Sequence, residues 1–465
     1  MTAAGALGWP LSTHALDDSL AFDEQGPIST RQYLADVLAL AERMRREWPD
    51  FAYVLNYCHD RYRFTVAFGA ALVAGKTALL PPNDLPHTVA QLRAELGDMG
   101  CLYDEAMPQG PRLSCLNVPH EAAEVETVRH MPEIAGDHLA AIVFTSGSTG
   151  KPSAHRKTWG KLCQNARAES RALGVAGWSL AATVPPQHMY GFESSVLLAL
   201  QGGAALWHGK PFYPADIARV LARLPRPRLL VSTPFHLSAA LDAGLAWPPC
   251  DAVLSATAPL HAELARRVEV AFGAPVLEIY GSTETSQTAT RRTLDGPAWT
   301  LLDGVRITQG AQADGAGAWV EGGHVEGRVP LADIVRVQAD GRFVLVGRQA
   351  DMVNVAGKRS SIAFLNQQLL AIAGVRDGCF FQPGGGDDEV GRLCAFVVAA
   401  DDLTNVEIVA ALRQRVDPLF LPRPVFRVPA LPRTASSKLP REALAALHAR
   451  CVDQQRVYGA VGRDG

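Results

Sequence analysis

The chain has 465 residues, 48% hydrophobic and 20% charged, with 44 basic against 47 acidic side chains and a formal net charge of −3. That length holds two or three domains with sizeable cores, and the composition excludes wholesale disorder. With no basic excess, no zinc-type Cys/His spacing among the eight cysteines, no signal-peptide pattern and no apolar run of about 18 residues, the expectation is a soluble cytoplasmic protein with reduced thiols that neither binds nucleic acid nor spans a membrane.

In chain order, Thr30 is expected to cap a helix in which Leu34, Val37, Leu38, Ala41 and Met44 recur at helical spacing. A strand over Phe51 to Tyr57, an apolar helix over Tyr62 to Val73 and a strand over Thr77 to Leu80 lead into the breaker Pro81-Pro82-Asn83-Asp84. Buried-strand runs return at Leu139 to Phe144, Leu180 to Val184, Arg228 to Ser232 and Ala252 to Ser255, with helical stretches at Asp216 to Leu224 and His261 to Phe272. Such alternation implies α/β layers with mostly parallel strands. From Trp299 to Val346 short Gly-rich strands and turns such as Ala339-Asp340-Gly341 predict an antiparallel β subdomain. A smaller α+β segment follows, ending in a helix near Arg441 to Arg450. The expected fold is α/β, with a large layered N-terminal domain over 1–348 and a small C-terminal domain over 349–465.

Thr145-Ser146-Gly147-Ser148-Thr149-Gly150-Lys151-Pro152 follows the strand ending at Phe144. Its glycines permit close backbone approach, and its N–H and O–H groups donate to anionic oxygens, as a phosphate loop requires. The same run also suits a flexible turn. It is not a Walker A loop, which needs Gly where Thr145 stands and Ser or Thr where Pro152 stands.

The run resembles the phosphate loop of the adenylate-forming superfamily, which includes acyl-CoA synthetases, aryl-acid ligases, peptide-synthetase adenylation domains and luciferases. Further segments resemble the superfamily's other motifs in the same order. Pro185-Pro186-Gln187-His188-Met189-Tyr190-Gly191 is similar to its "P-x-x-H-x-x-G", which implies that His188 lies by the substrate carboxylate. Ser255 to Leu260 is similar to the small-residue strand against adenine, with Ala258 and Pro259 at its end. Tyr280-Gly281-Ser282-Thr283-Glu284 matches "Y-G-x-T-E". There the resemblance implies an adenine-facing Tyr280, Thr283 at the α-phosphate and Glu284 on Mg²⁺, with Glu278, Gly281 and Ser282 also at the nucleotide. Asp333 and Arg348 correspond to ribose and phosphate contacts, and Pro432-Arg433-Thr434-Ala435-Ser436-Ser437-Lys438 to the loop bearing the catalytic lysine, Lys438.

This chain departs from the pattern at several points. Ala350 stands at the hinge, Ser361-Ile362-Ala363-Phe364 replaces "E-I-E", Gly327-Arg328-Val329 replaces "G-E-I" and Ser437 replaces a glycine. The resemblance implies that ATP and Mg²⁺ activate a carboxylic acid as acyl-AMP, and that a mobile C-terminal domain then admits a pantetheine thiol. His188, Tyr190, Gly191, Phe192, Phe235, Ala258, Tyr280 and Gly281 are the candidate acid-pocket residues. Aromatic side chains among small ones suit a flat ring, and equally suit core packing. The compact chain most resembles ligases of xanthomonadin and aryl-polyene pigment biosynthesis, which load 4-hydroxybenzoate-like acids onto an acyl carrier protein. Arg413, Arg415, Arg423, Arg427 and Arg433 around the lone Asp417 suit an acidic carrier. Free CoA as acceptor and a catalytically silent acid- or nucleotide-binding protein are the alternatives.

Overall fold

Aliphatic strands flanked by helices build two sheets in the larger of two units into which the chain divides. That unit comprises 1–256, 266–307 and 320–329, and the second comprises 257–265, 308–319 and 330–465. The computed structural model describes residues 8–81, 86–105, 113–119, 123–125, 128–145, 153–310, 317–348, 352–355, 358–383, 392–434 and 439–461.

One sheet of the first unit runs Ser153–Thr158, Leu139–Thr145, Thr77–Leu80, Tyr53–Asn56, Met99–Tyr103, Ser114–Asn117. Only its first pair is antiparallel. The other has a parallel centre of Val276–Ser282, Ala252–Ser255, Arg228–Ser232, Ser179–Ala182, Ala205–Trp207 and Ser19–Phe22. Antiparallel strands extend it at each side, Ser286–Arg292 with Ala298–Leu301 at one and Pro27–Ser29 at the other. The alternation read from the sequence is therefore this α/β arrangement.

The helix expected at Thr30 spans Thr30–Glu47, but Ser29 is its cap: the Ser29 hydroxyl accepts from the Gln32 N–H at 3.1 Å. Thr30 is already helical, and its hydroxyl donates to the Asp18 carbonyl at 3.1 Å. Two adjacent hydroxyl residues each meet the capping preference, and a tertiary bond decides between them. Tyr33, Leu34, Val37, Ala41 and Met44 form the buried face, while Leu38 is only half-buried. The next helix, Arg61–Val73, is apolar nearly all round, as a wholly buried helix must be.

Asp60 caps that helix by accepting from the Arg63 N–H at 2.9 Å, and its other oxygen lies 2.6 Å from His208 Nδ1. Glu24 Oε2 lies 2.5 Å from His208 Nε2. Both ring nitrogens can donate only in the imidazolium. Burial lowers the His208 pKa, but hydrogen bonds and charge from Asp60 and Glu24 outweigh it, and the net shift is upward. A raised folded-state pKa stabilises the fold fully below the unfolded value, and the contribution is lost as pH rises through the folded one. His208→Asn is therefore expected to lower the melting temperature by about 2–4 °C near pH 5.5, with the deficit shrinking above neutrality. A deficit that grows with pH would contradict the pairing.

In the second unit Asp333–Val337 and Phe343–Arg348 form a hairpin turning at Gly341, whose φ is +83°. Beyond it, Met352–Val355 pairs with Lys358–Ser361. Val375–Phe381, Cys394–Ala399 and Val425–Arg427 make a sheet accompanied by helices Ile362–Leu370, Asn405–Arg413 and Arg441–Val461. Leu365, Leu369, Phe380 and Leu412 belong to one core cluster there, and Phe381, Phe396 and Phe426 to another. The final helix runs 11 residues past the expected Arg450, because no glycine or proline interrupts it before Gly459. Among the described residues no helix is long and apolar enough to cross a membrane.

Candidate active site

Ligands of open α/β sheets collect at the carboxyl ends of the parallel strands. Val276–Ser282 ends there with Tyr280 half-buried, its ring 5.6 Å from Trp299, and with Gly281, Ser282 and Glu284 exposed. A tight turn follows: the Ser282 N–H donates to Thr285 Oγ1 at 3.1 Å, and the Thr285 N–H to Ser282 Oγ at 3.2 Å. These reciprocal bonds place Thr283 and Glu284 at the tip. Ser286 returns the chain with φ at +61°, a left-handed value rare outside glycine.

His155 and Lys157 alternate on Ser153–Thr158, the strand that leaves the phosphate-loop segment, and both reach this turn. His155 Nε2 lies 3.7 Å from Glu284 Oε1. Lys157, nearly fully buried, donates to Ser286 Oγ at 3.0 Å and to the Glu284 carbonyl at 3.3 Å. Burial alone would raise the Glu284 pKa. Hydrogen bonds from its own N–H and the Ser282 hydroxyl, with the charges of His155 and Lys157, bring it below its ordinary value. The carboxylate is thus ionised at neutral pH. Thr145 closes Leu139–Thr145 opposite Ser153; Ser146, Gly147, Ser148, Thr149, Gly150 and Lys151 lie outside the described residues.

His188 stands at the N-cap position of the short helix Met189–Gly191, without a side-chain capping bond. A Cβ on Gly191 would lie 2.0 Å from the Pro185 carbonyl oxygen, so this turn closes only around glycine. The Tyr190 hydroxyl lies 3.1 and 3.0 Å from the carbonyls of Ser232 and Leu254, and burial raises its pKa well above the ordinary value, keeping it a neutral donor. Phe192 is fully enclosed, its ring 6.2 Å from Phe64 and 5.0 Å from Phe68. Phe235 opens the helix Pro234–Asp242 and is half exposed. Glu278 is buried and engaged: Arg291 pairs with it at 2.6 Å, Thr293 donates at 2.6 Å, and Arg291 also covers the Trp299 ring.

In the second unit Ala258 and Pro259 follow Thr257, whose φ is +77°. Asp333 and Arg348 are opposite one another in the hairpin register. The Arg348 side chain, Ala350 and Lys438 lie outside the described residues. The sequence reading missed His155, Lys157 and Glu193, the last in the helical turn just after Gly191, where the charge of Lys157 acts on it. The Asn165 side chain donates to Glu193 at 2.8 Å. Burial pushes the Glu193 carboxyl up to about 7, against the pull of Lys157, of the Asn165 hydrogen bond and of the nearby Ser286 and Gln287 donors. The signal for the first two was their two-residue spacing on a strand, which points both side chains to one face.

A family profile described as AMP-binding enzyme matches residues 12–313, and one for the AMP-binding enzyme C-terminal domain matches 369–438. The chain belongs to the AMP-binding enzyme family. It is an ATP-dependent, AMP-forming ligase of the acyl- or aryl-CoA ligase type. A 4-coumarate–CoA ligase of Rhodobacter capsulatus is 32% identical over 281 residues, 60% of this chain and 67% of that one. A 2-hydroxy-7-methoxy-5-methyl-1-naphthoate–CoA ligase of Streptomyces carzinostaticus is 24% identical over 84% of this chain and 79% of that one. Among solved structures, o-succinylbenzoate CoA synthetase of Bacillus subtilis with its acyl-adenylate intermediate has a TM-score of 0.79 at 20% identity, covering 94% of this chain and 98% of that one, a likeness of fold.

This AMP-binding enzyme uses ATP and Mg²⁺, and its residues fit both. Mg²⁺ is commonly held by one or two carboxylates together with phosphate oxygens. Glu284 offers one such carboxylate, ionised and 45% exposed at a turn tip. Tyr280 offers a partly accessible aromatic ring and Thr283 a hydroxyl beside it.

Proposed function

We propose that this ligase activates an aryl carboxylic acid of the 4-hydroxybenzoate type and passes it to the phosphopantetheine thiol of an acyl carrier protein. The observation that supports its adenylation step is the 3.7 Å approach of His155 to Glu284, which brings the strand leaving the phosphate loop to the Tyr280–Glu284 turn. ATP supplies an α-phosphorus for carboxylate attack, and Mg²⁺ neutralises charge on its phosphates. Glu284 then serves as metal ligand, Thr283 and the Thr145–Lys151 loop donate to phosphate oxygens, and His188 orients the acid. Ala258, Pro259, Glu278, Tyr280, Gly281 and Ser282 serve the adenosine moiety, with Asp333 and Arg348 at ribose and phosphate. Tyr190, Gly191, Phe192, Phe235 and Ala258 shape the acyl end, Phe192 from the core behind it. Residues 349–465 act as the mobile domain that delivers and withdraws Lys438.

The aryl preference draws support from the relatives whose names specify 4-coumarate and a naphthoate. Those names also specify CoA, so free CoA as acceptor is the second reading. The carrier reading draws on the arginine surface of the second unit. Arg433 is paired with Asp377 at 2.7 Å, and Arg427 donates to the carbonyls of Ala400 and Leu403, while Arg413, Arg415 and Arg423 are exposed. Acid-dependent ATP–pyrophosphate exchange over benzoates and fatty acids tests the acid; exchange with fatty acids alone would sink the aryl assignment. Arg415→Glu with Arg423→Glu is expected to slow transfer to a carrier protein about tenfold while sparing exchange. Equal loss of both half-reactions, or efficient transfer to free CoA only, would remove the carrier from the reading.

A further inference from the structure

Three segments that bear on the two substrates meet beneath the Ser282–Ser286 turn, and one buried cation joins them. Lys157 projects from the strand leaving the phosphate loop and donates to the Glu284 carbonyl at 3.3 Å and to Ser286 Oγ at 3.0 Å. The charge of Lys157 also acts on the Glu193 carboxyl, which accepts from the Asn165 side chain at 2.8 Å. Glu193 stands two residues after Gly191, in the helix that follows His188. The Lys157 ammonium therefore holds the strand Ser153–Thr158 to the Ser282–Ser286 turn by hydrogen bonds, and its charge attracts Glu193 on the acid segment. Lys157, Glu193 and Ser286 are each under 5% exposed, where an unmatched charge is costly and a matched one rigid.

Ser286 shows why the turn needs such a tie. Its φ of +61° is uncommon for a serine, and the bond from Lys157 to its hydroxyl helps hold it there. We infer that Lys157 is a positioning residue for adenylation: through Ser286 and the Glu284 carbonyl it holds the turn in the form that presents the Glu284 carboxylate. It touches neither substrate nor metal. The inference rests on Glu284 as metal ligand, and the experiment separates the two.

Lys157→Met, Lys157→Arg, Ser286→Ala and Glu284→Ala are compared with wild type for Mn²⁺–ATP affinity, by calorimetry and electron paramagnetic resonance of bound Mn²⁺, and for exchange kinetics. Lys157→Met is expected to weaken Mn²⁺–ATP binding and lower exchange kcat each by about tenfold, while KM for the acid moves by less than about threefold. Lys157→Arg restores part of both, and Ser286→Ala shifts them the same way. Lys157→Met also removes the cation that holds the buried Glu193 carboxyl down. The double variant Lys157→Met/Glu193→Gln therefore recovers melting temperature but not Mn²⁺–ATP affinity. Recovery of both in the double variant reduces Lys157 to a stability role and overturns the inference. So does wild-type Mn²⁺–ATP affinity in a folded Lys157→Met, or in Ser286→Ala should Lys157→Met fail to fold. If Glu284→Ala itself leaves Mn²⁺–ATP binding unchanged, the metal-ligand reading fails instead.

Discussion

Lys438→Ala is expected to slow acid-dependent ATP–pyrophosphate exchange by about 10³-fold, the scale on which a single cation acts at a phosphoryl centre. Negative charge spreads over the α-phosphate oxygens as the acid carboxylate attacks and pyrophosphate leaves. A preplaced ammonium meets that charge without solvent reorganisation. Lys438 lies outside the described residues, but the start of its loop is fixed. Arg433 engages Asp377 side-on through two bonds of 2.7 and 2.9 Å, a geometry with little rotational freedom. Lys438 is the fifth residue after that anchor. On the proposed role the lysine takes no part in thiol attack on a preformed adenylate. Transfer from chemically supplied acyl-adenylate to the thiol is therefore expected to stay within about threefold of wild type. Parallel loss of both half-reactions would show a role not confined to adenylation, and exchange within tenfold of wild type would remove Lys438 from the mechanism.

Parts of this molecule are legible in its sequence for physical reasons. Thr77–Leu80, Arg228–Ser232 and Ala252–Ser255 are short apolar runs bounded by breakers, and each is a strand at the residues read. The Tyr280–Glu284 stretch is legible because its aromatic, hydroxyl and carboxylate groups are contiguous in the chain. The bonding beneath it is not. Lys157 meets Glu284 across 127 residues and Ser286 across 129, distances over which no periodicity speaks. The aromatic candidates show the same limit. Phe192 and Phe235 read alike in sequence, yet one is enclosed by Phe64 and Phe68 and the other half exposed. The arginine cluster loses Arg433 to an aspartate 56 residues upstream, which local charge counting does not see. Local chemistry marks where a site is, and tertiary partners decide which of its charges remain available.

Gly281→Ala carries the second-largest expected effect, because this glycine is required by close approach. A Cβ there would lie 2.3 Å from the Ser286 carbonyl oxygen, 2.8 Å from the Gln287 Cα and 2.9 Å from the Ser286 carbonyl carbon. All three are backbone atoms of the partner strand, so no side chain can swing aside. The register already shifts between Tyr280 and Gly281, where the hairpin takes up its bulge. One methyl group must therefore move the Ser282–Ser286 turn bodily, with Thr283 and Glu284 on it. Misplacing reacting groups by about 1 Å costs about 10²-fold in rate, and forcing a methyl into closed packing costs about 1–3 kcal/mol of stability. Gly281→Ala is expected to lower exchange kcat by that factor and to weaken Mn²⁺–ATP binding, with a modest fall in melting temperature. Gly273→Ala, at a φ of +62° with nothing within 4 Å, strains the backbone without displacing a neighbour and serves as the comparison. If the two variants lose melting temperature alike and both keep wild-type exchange, the close approach at Gly281 only holds two strands together. If Gly281→Ala alone loses exchange, the spacing of those two backbones sets the position of the Ser282–Ser286 turn.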